Sequence, residues 1–183
     1  LVAGWIQSHP EDHHTVVSSD SDFVQLISEN VNLYNGINDH LFTTEGAFDA
    51  KGRKLAFTIK SNSKIQVGKP DADFVTPANY QDWILFLKCV RGDSGDNVFS
   101  AYPGVREVGT KNKIGIKEAF EDRNKQGFNW NNFMLQTWVD HNNVQHKVLD
   151  DYKRNRMLID LTAQPDDIKA EVDQRIRDSV RTQ

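Results

Sequence analysis

The sequence has a single cysteine, Cys89, so no internal disulfide can form and a reducing compartment is expected. It has no apolar run near the roughly 18 residues that a membrane-spanning helix needs. Residues 1–6 are followed at once by Gln7, Ser8, His9 and Pro10, which does not read as a signal peptide. A cytoplasmic protein with no membrane association is therefore expected. There is no internal repeat and no low-complexity linker. Nor is there an excess of positive charge: the formal net charge is -4, so global charge does not advertise a nucleic-acid partner.

What is present suits an ordinary globular chain. The 183 residues, with 38% hydrophobic and 26% charged, allow one domain or one and a half with a real core. Cys89 lies inside Trp83-Ile84-Leu85-Phe86-Leu87-Lys88-Cys89-Val90, the setting of a buried structural thiol. The charge is unevenly spread. Residues 51–69 hold Lys51, Arg53, Lys54, Lys60, Lys64 and Lys69 and no acid. Such a stretch fits a ribbon along a phosphate backbone, and equally an edge hairpin protected by lysines.

Pattern and punctuation predict a helix over residues 1–8 and a β-branched strand over 15–19. That strand leads through Asp20-Ser21-Asp22 into helix-like spacing at Phe23, Val24, Leu26 and Ile27. Further strands are expected at 31–35, 54–60 and 64–67, the last two joined by a Ser61-Asn62-Ser63 turn. Helices are expected at 79–91, with Trp83, Phe86, Leu87 and Val90 on the buried stripe, and at 114–120, 131–141 and 144–157. A short strand at 157–161 and a helix after Pro165 complete the α/β reading.

The candidate chemistry lies in two aspartate pairs. Asp20 and Asp22 are two apart at the end of the expected strand, where period two points both carboxylates to one side. Asp93 and Asp96 are three apart where a helix gives way to a Gly-containing loop. Each pair alone is also what a turn or helix cap looks like. Two like charges 4 Å apart repel by about 4 kcal/mol at an effective dielectric near 20, so four such groups need a cation. Oxygen ligands suit Mg²⁺ or Mn²⁺, and paired ions drive in-line phosphodiester displacement. His9, His13 and His14 have metal-like spacing but no convergent ligands, and read as an exposed polar turn.

Val17-Ser18-Ser19-Asp20-Ser21-Asp22-Phe23-Val24-Gln25-Leu26 resembles the metal-binding stretch of the 5′-nuclease superfamily, the flap endonucleases and 5′→3′ exonucleases. Arg91-Gly92-Asp93-Ser94-Gly95-Asp96-Asn97-Val98 resembles its second aspartate motif. Gly104-Val105-Arg106-Glu107-Val108-Gly109-Thr110-Lys111 is similar to its helix–hairpin–helix segment. Asn155-Arg156-Met157-Leu158-Ile159-Asp160-Leu161, with Pro165 and Ile168, resembles its closing strand. Their order and spacing are most similar to the phage branch, like the RNase H of T-even phages.

The resemblance implies an α/β fold: part of a PIN-like core sheet with helices over residues 1–90, then a mostly helical helix–hairpin–helix region over 91–183. It implies a metal-dependent 5′→3′ exonuclease or flap endonuclease that cleaves DNA flaps or nicks, and RNA primers in RNA·DNA hybrids, during replication. Asp20, Asp22, Asp93 and Asp96 would hold two Mg²⁺ ions, or Mn²⁺. Lys111, Lys113, Lys117, Arg106, Gly104 and Gly109 would contact DNA, with a monovalent cation at the hairpin. A monomer is expected, with a single-strand binding protein or clamp as partner, in the host cytoplasm if phage-encoded. The sequence departs from the family where Arg106 and Glu107 replace the usual hairpin Pro and Gly. Further acidic ligands and a basic arch would precede Leu1, so an N-terminally truncated member is expected. A non-catalytic duplex-binding fragment of the same fold is the alternative reading. A PIN-type ribonuclease is the third, and it leaves the hairpin region and helical C-terminal part unexplained.

Overall fold

A computed structural model describes residues 1–181. The elements follow in the order α1 (Val2–Ser8), β1 (His14–Val17), a 3-10 helix (Ser21–Leu26), β2 (Val31–Asn35), β3 (His40–Thr43), β4 (Gly46–Asp49), β5 (Lys54–Leu55), β6 (Phe57–Ile59) and β7 (Ile65–Val67). Then come α2 (Tyr80–Arg91), α3 (Ile116–Glu121), α4 (Phe128–Met134), β8 (Thr137–Val139), β9 (Gln145–Lys147), α5 (Val148–Ile159) and α6 (Asp166–Arg181). The arrangement is mixed α/β. No helix among the described residues is long and apolar enough to cross a membrane. The chain divides into two units. One comprises residues 1–58, 67–76 and the described residues from Asp160 on; the other comprises 59–66 and 77–159.

The first unit is built on a five-stranded sheet in the order β1-β2-β3-β4-β5. β1 and β2 are parallel, and residues 18–30 make the long crossover that parallel pairing requires. The other pairs are antiparallel. Val16 sits opposite Leu33, Leu33 opposite Phe42, Phe42 opposite Ala47, and Ala47 opposite Leu55. Residues directly opposite share a face, so one apolar row crosses all five strands. Leu33, Phe42, Ala47 and Leu55 are buried. A one-residue slip would turn this row to solvent, which fixes the register. Phe57 packs edge-on to Phe42 at 5.9 Å. Ala3, Leu26 and Val31 form a further buried cluster, with Ile6, Val16, Phe23 and Leu161 against it.

The second unit gathers around α2. Tyr80, Trp83, Ile84, Phe86, Leu87, Cys89 and Val90 are all buried, among them the four expected on the stripe, Trp83, Phe86, Leu87 and Val90. Phe86 is the hub of an aromatic cluster. Its ring centroid lies 5.6 Å from Phe120, 6.0 Å from Trp130, 6.5 Å from Phe133 and 5.5 Å from Tyr152. α3, α4 and α5 are thereby tied to one side chain of α2. The end of α2 is closed by chain that follows it. The last carbonyls of a helix have no intrahelical donors. Here Lys88 O accepts from Gly92 N–H, and Val90 O accepts from Ala101 N–H and Ser100 Oγ–H. Cys89 O accepts from the amide of fully buried Asn155, which also donates to Phe99 O at 2.7 Å.

Several expected elements come out differently. The expected strand over 54–60 breaks at Ala56: Lys54–Leu55 pairs with β4, while Phe57–Ile59 pairs with β7. The basic residues of 51–69 therefore do not share one ribbon: Lys51 and Arg53 precede β5, Lys54 is on it, Lys60 and Lys64 lie between β6 and β7, and Lys69 follows β7. The expected helix over 131–141 ends at Met134, and β8 and β9 form a hairpin in which Trp138 sits opposite His146. The expected strand over 157–161, read as the family's closing strand, is the end of α5 as far as Ile159. Strands β3 and β4 were not expected at all.

Asn155→Ala removes the donor from Cys89 O and Phe99 O, and is expected to lower stability by about 3 kcal/mol. Urea denaturation reads this as a lower midpoint at unchanged slope.

Candidate metal centre

The helix α2 stops at Gly92. Its φ of 78° lies in the left-handed region, and a Cβ there would stand 2.3 Å from Val98 O. Only glycine fits this C-terminal position. The chain then reverses. Asp93 N–H donates to Val98 O at 2.9 Å and Val98 N–H donates to Asp93 O at 2.8 Å, closing the loop 93–98. Inside it the Asp93 carboxylate accepts from Gly95 N–H at 2.9 Å and from Lys88 Nζ at 3.0 Å. Lys88 is buried, with 7% exposure. A buried ammonium is tolerable only when paired.

Burial of Asp93 works against its charge. The Lys88 hydrogen bond and charge, with the N–H groups of Gly95 and Asp96, outweigh it and hold the carboxyl below its usual range. Asp96 is exposed on the same loop, and the two residues offer carboxylate oxygens within 4.8 Å of each other. Two anionic oxygens at that separation are a fit for a hard, oxygen-seeking divalent cation.

Asp20 and Asp22 belong to the first unit. β1 ends at Val17, so strand period does not govern them. Asp20 is instead the N-cap of the 3-10 helix, and its carboxylate accepts from Asp22 N–H at 2.9 Å. A short acid at this place satisfies an orphan donor of the helix. Asp20 is exposed and Asp22 half-buried in the first turn. The cap joins the Asp20 carboxylate to the Asp22 backbone, not the two carboxylates to each other.

The expected DNA contacts lie along the loop before α3 and on α3 itself. Gly104 is exposed, with φ 72°. Gly109 is a close-approach position: a Cβ would stand 2.5 Å from Lys113 O. Its N–H and that of Gly115 both donate to the Glu118 carboxylate. The carbonyls of Arg106 and Glu107 accept from Ile116 N–H and Lys117 N–H, the first orphan donors of α3. Arg106 and Glu107 thus sit in a well-anchored loop, because their backbone carbonyls make the contacts. Lys111, Lys113 and Lys117 are exposed. His9 stacks on Trp5, and His14 Nε2 meets His9 O, so the histidine spacing does not converge on a cation site.

Sequence reasoning missed Lys88, Arg91 and Asn155. Lys88 was detectable, as a charge inside an apolar run five residues before Asp93. Arg91 donates to Val105 O at 2.6 Å, and Asn155 acts across 66 residues of chain; neither leaves a local signal.

No protein-family model matches the chain. Over 121 residues, 66% of this chain, it is 29% identical to a 5′-3′ exonuclease of Aquifex aeolicus (strain VF5). The chain covers 32% of that exonuclease, so it spans about a third of the length of the curated relative it matches. This distant similarity supports the 5′-nuclease superfamily, and the mixed α/β arrangement is compatible with a nuclease core.

Because the folded Asp93 carboxyl titrates below its ordinary value, its contribution to stability is complete above the ordinary carboxylate range. It is lost as pH falls through the lowered value. Lys88→Met should move the Asp93 titration upward, since burial then acts with less opposition. Carboxyl ¹³C NMR across the acid range checks this; an unmoved titration would show that the ammonium is not what holds the charge.

Proposed function

We propose that this chain is part of a divalent-metal-dependent 5′-nuclease. Asp20, Asp22, Asp93 and Asp96 would hold the metal, as Mg²⁺ or Mn²⁺ in two sites. The observation that carries the reading is the 93–98 loop. It keeps Asp93 ionised beside Asp96 in a chain distantly similar to a 5′-3′ exonuclease. The donor set is all oxygen, which suits Mg²⁺ over softer ions. When bound, such ions lower the pKa of a water and stabilise charge on the transferring phosphoryl group. The chain's own residues hold and orient. Asp93 needs no proton removed before it can bind a cation, and Gly95 N–H and Lys88 Nζ fix its plane. The Lys88 ammonium also offsets repulsion among the carboxylates.

In this reading Arg106, Lys111, Lys113 and Lys117 contact the phosphates of a duplex, with Gly104 and Gly109 allowing the loop its shape. The loop would serve as the hairpin of a helix–hairpin–helix element, with residues 91–183 as the DNA-binding part and 1–90 as part of the core. The substrates would be DNA flaps or nicks, and RNA primers in RNA·DNA duplexes, in the manner of the phage branch. One observation favours a second reading, a duplex-binding module without hydrolysis: Lys88 already pairs with the Asp93 carboxylate at 3.0 Å.

The two separate on one substitution. Asp93→Asn in the intact protein is expected to cut Mg²⁺-dependent cleavage of a 5′-flap substrate by more than about 100-fold, beyond the roughly 10–100-fold typical of losing a mere supporting partner. Chelation of the metal should abolish the same activity. Cleavage unchanged by Asp93→Asn sinks the metal assignment. Duplex binding with no hydrolysis under any divalent metal favours the second reading.

A further inference from the structure

Beside the anchored loop of the second unit is a cavity of about 260 Å³, between the 110–113 turn and α4. We propose that it is a subsite for one unpaired nucleotide at the end of a duplex, its base against Phe128 and its phosphate, the one that adjoins the duplex backbone, on Lys111 and Lys113. The proposal deepens the nuclease reading and rests on it only for the source of the nucleotide.

Three features converge. The first is charge. Lys111 and Lys113 line the cavity, no carboxylate does, and neither lysine has an ion-pair partner among the described residues. Their turn is closed at both ends, by Thr110 N–H to Lys113 O at 2.8 Å and Lys113 N–H to Thr110 O at 3.3 Å. Two ammonium groups on a closed turn suit one phosphate. The second is an aromatic surface. Phe128, the first residue of α4, is 75% exposed, and Tyr102 lines the cavity with its ring 5.2 Å from the buried Phe133. A lone exposed Phe needs no explanation, but one that lines a cationic cavity matches the platform on which unpaired bases stack. The third is polar. Asn132 and Gln136 also line the cavity, each with one amide N–H on a helix carbonyl. An amide carries a second N–H and an acceptor oxygen, the chemistry that reads a base edge.

Size separates an unpaired nucleotide from a duplex. The cavity is below the roughly 300–1,000 Å³ of pockets for drug-sized ligands. A paired base cannot enter such a recess without leaving its stack. A duplex backbone would need only the lysines and would leave Phe128 without a role.

The test uses the intact protein in EDTA, which prevents cleavage. Fluorescence anisotropy compares a nicked duplex carrying one unpaired thymidine at the nick with the same nick fully paired. Phe128→Ala should weaken binding of the unpaired substrate by roughly 5- to 150-fold, the range for loss of one base–aromatic stack. It should leave the paired nick within about twofold, and Phe128→Tyr should retain wild-type binding of both. Titration with dTMP alone, followed by aromatic NMR, should shift the Phe128 signals, whereas inorganic phosphate should not. Equal effects of Phe128→Ala on both substrates, or Phe128 signals unmoved by dTMP, would overturn the subsite. If Phe128 responds to dTMP in a protein that cleaves no flap, the subsite stands and the nuclease reading falls. If flaps are cleaved and Phe128→Ala is silent, the reverse holds.

Discussion

Asn155 is wholly buried, and its amide bridges the end of α2 to the chain that returns past it. The acidic loop of the second unit depends on that junction. A helix C-terminus carries carbonyls that need donors, and burying it without them would be costly. Here the donors are supplied by Gly92, Ala101, Ser100 and Asn155. The same bonds that close α2 therefore hold residues 93–98 in place. The acidic loop is fixed at both ends by the solution to a backbone problem, and its carboxylates inherit that rigidity.

Charge is handled with the same economy. Lys88 lies within the apolar stripe of α2 and reaches Asp93 at 3.0 Å. A buried ammonium and a partly buried carboxylate would each be unfavourable alone. Paired, they let a helix that is otherwise core carry an ionised acid at its end. Asp20 solves a smaller problem in the first unit, since its carboxylate caps the 3-10 helix. The two pairs resemble each other in sequence yet are held by different means. One is set by a cap, the other by a buried cation and a closed loop.

Where local pattern and tertiary demand agree, the chain was readable. α2 was predicted to within a residue because Trp83, Phe86, Leu87 and Val90 repeat at helical spacing and Gly92 ends the helix. α1 and α6 were also readable. The strands β3 and β4 were not. His40-Leu41-Phe42-Thr43 and Gly46-Ala47-Phe48-Asp49 are short, and Gly and Asp are poor strand formers. They are strands because Phe42 and Ala47 complete the apolar row between Leu33 and Leu55. The end of α5 misled in the opposite direction. Met157, Leu158 and Ile159 form an apolar run that reads as a strand, yet Met157 and Leu158 are largely exposed on a helix and only Ile159 is buried.

The sequence by itself displayed the candidates for chemistry: two aspartate pairs, glycines at 104 and 109, Arg106, and lysines at 111, 113 and 117. These are matters of residue type and short spacing, which a linear chain displays directly. Only the tertiary structure decided how each group is held. Lys88 fixes the charge of Asp93, Asn155 fixes the loop, Glu118 fixes the turn, and Phe128 stands beside two lysines. Partners such as Asn155 and Cys89 lie 66 residues apart. Long-range hydrogen bonds and burial depend on which elements pack together, and no local period in the sequence encodes that.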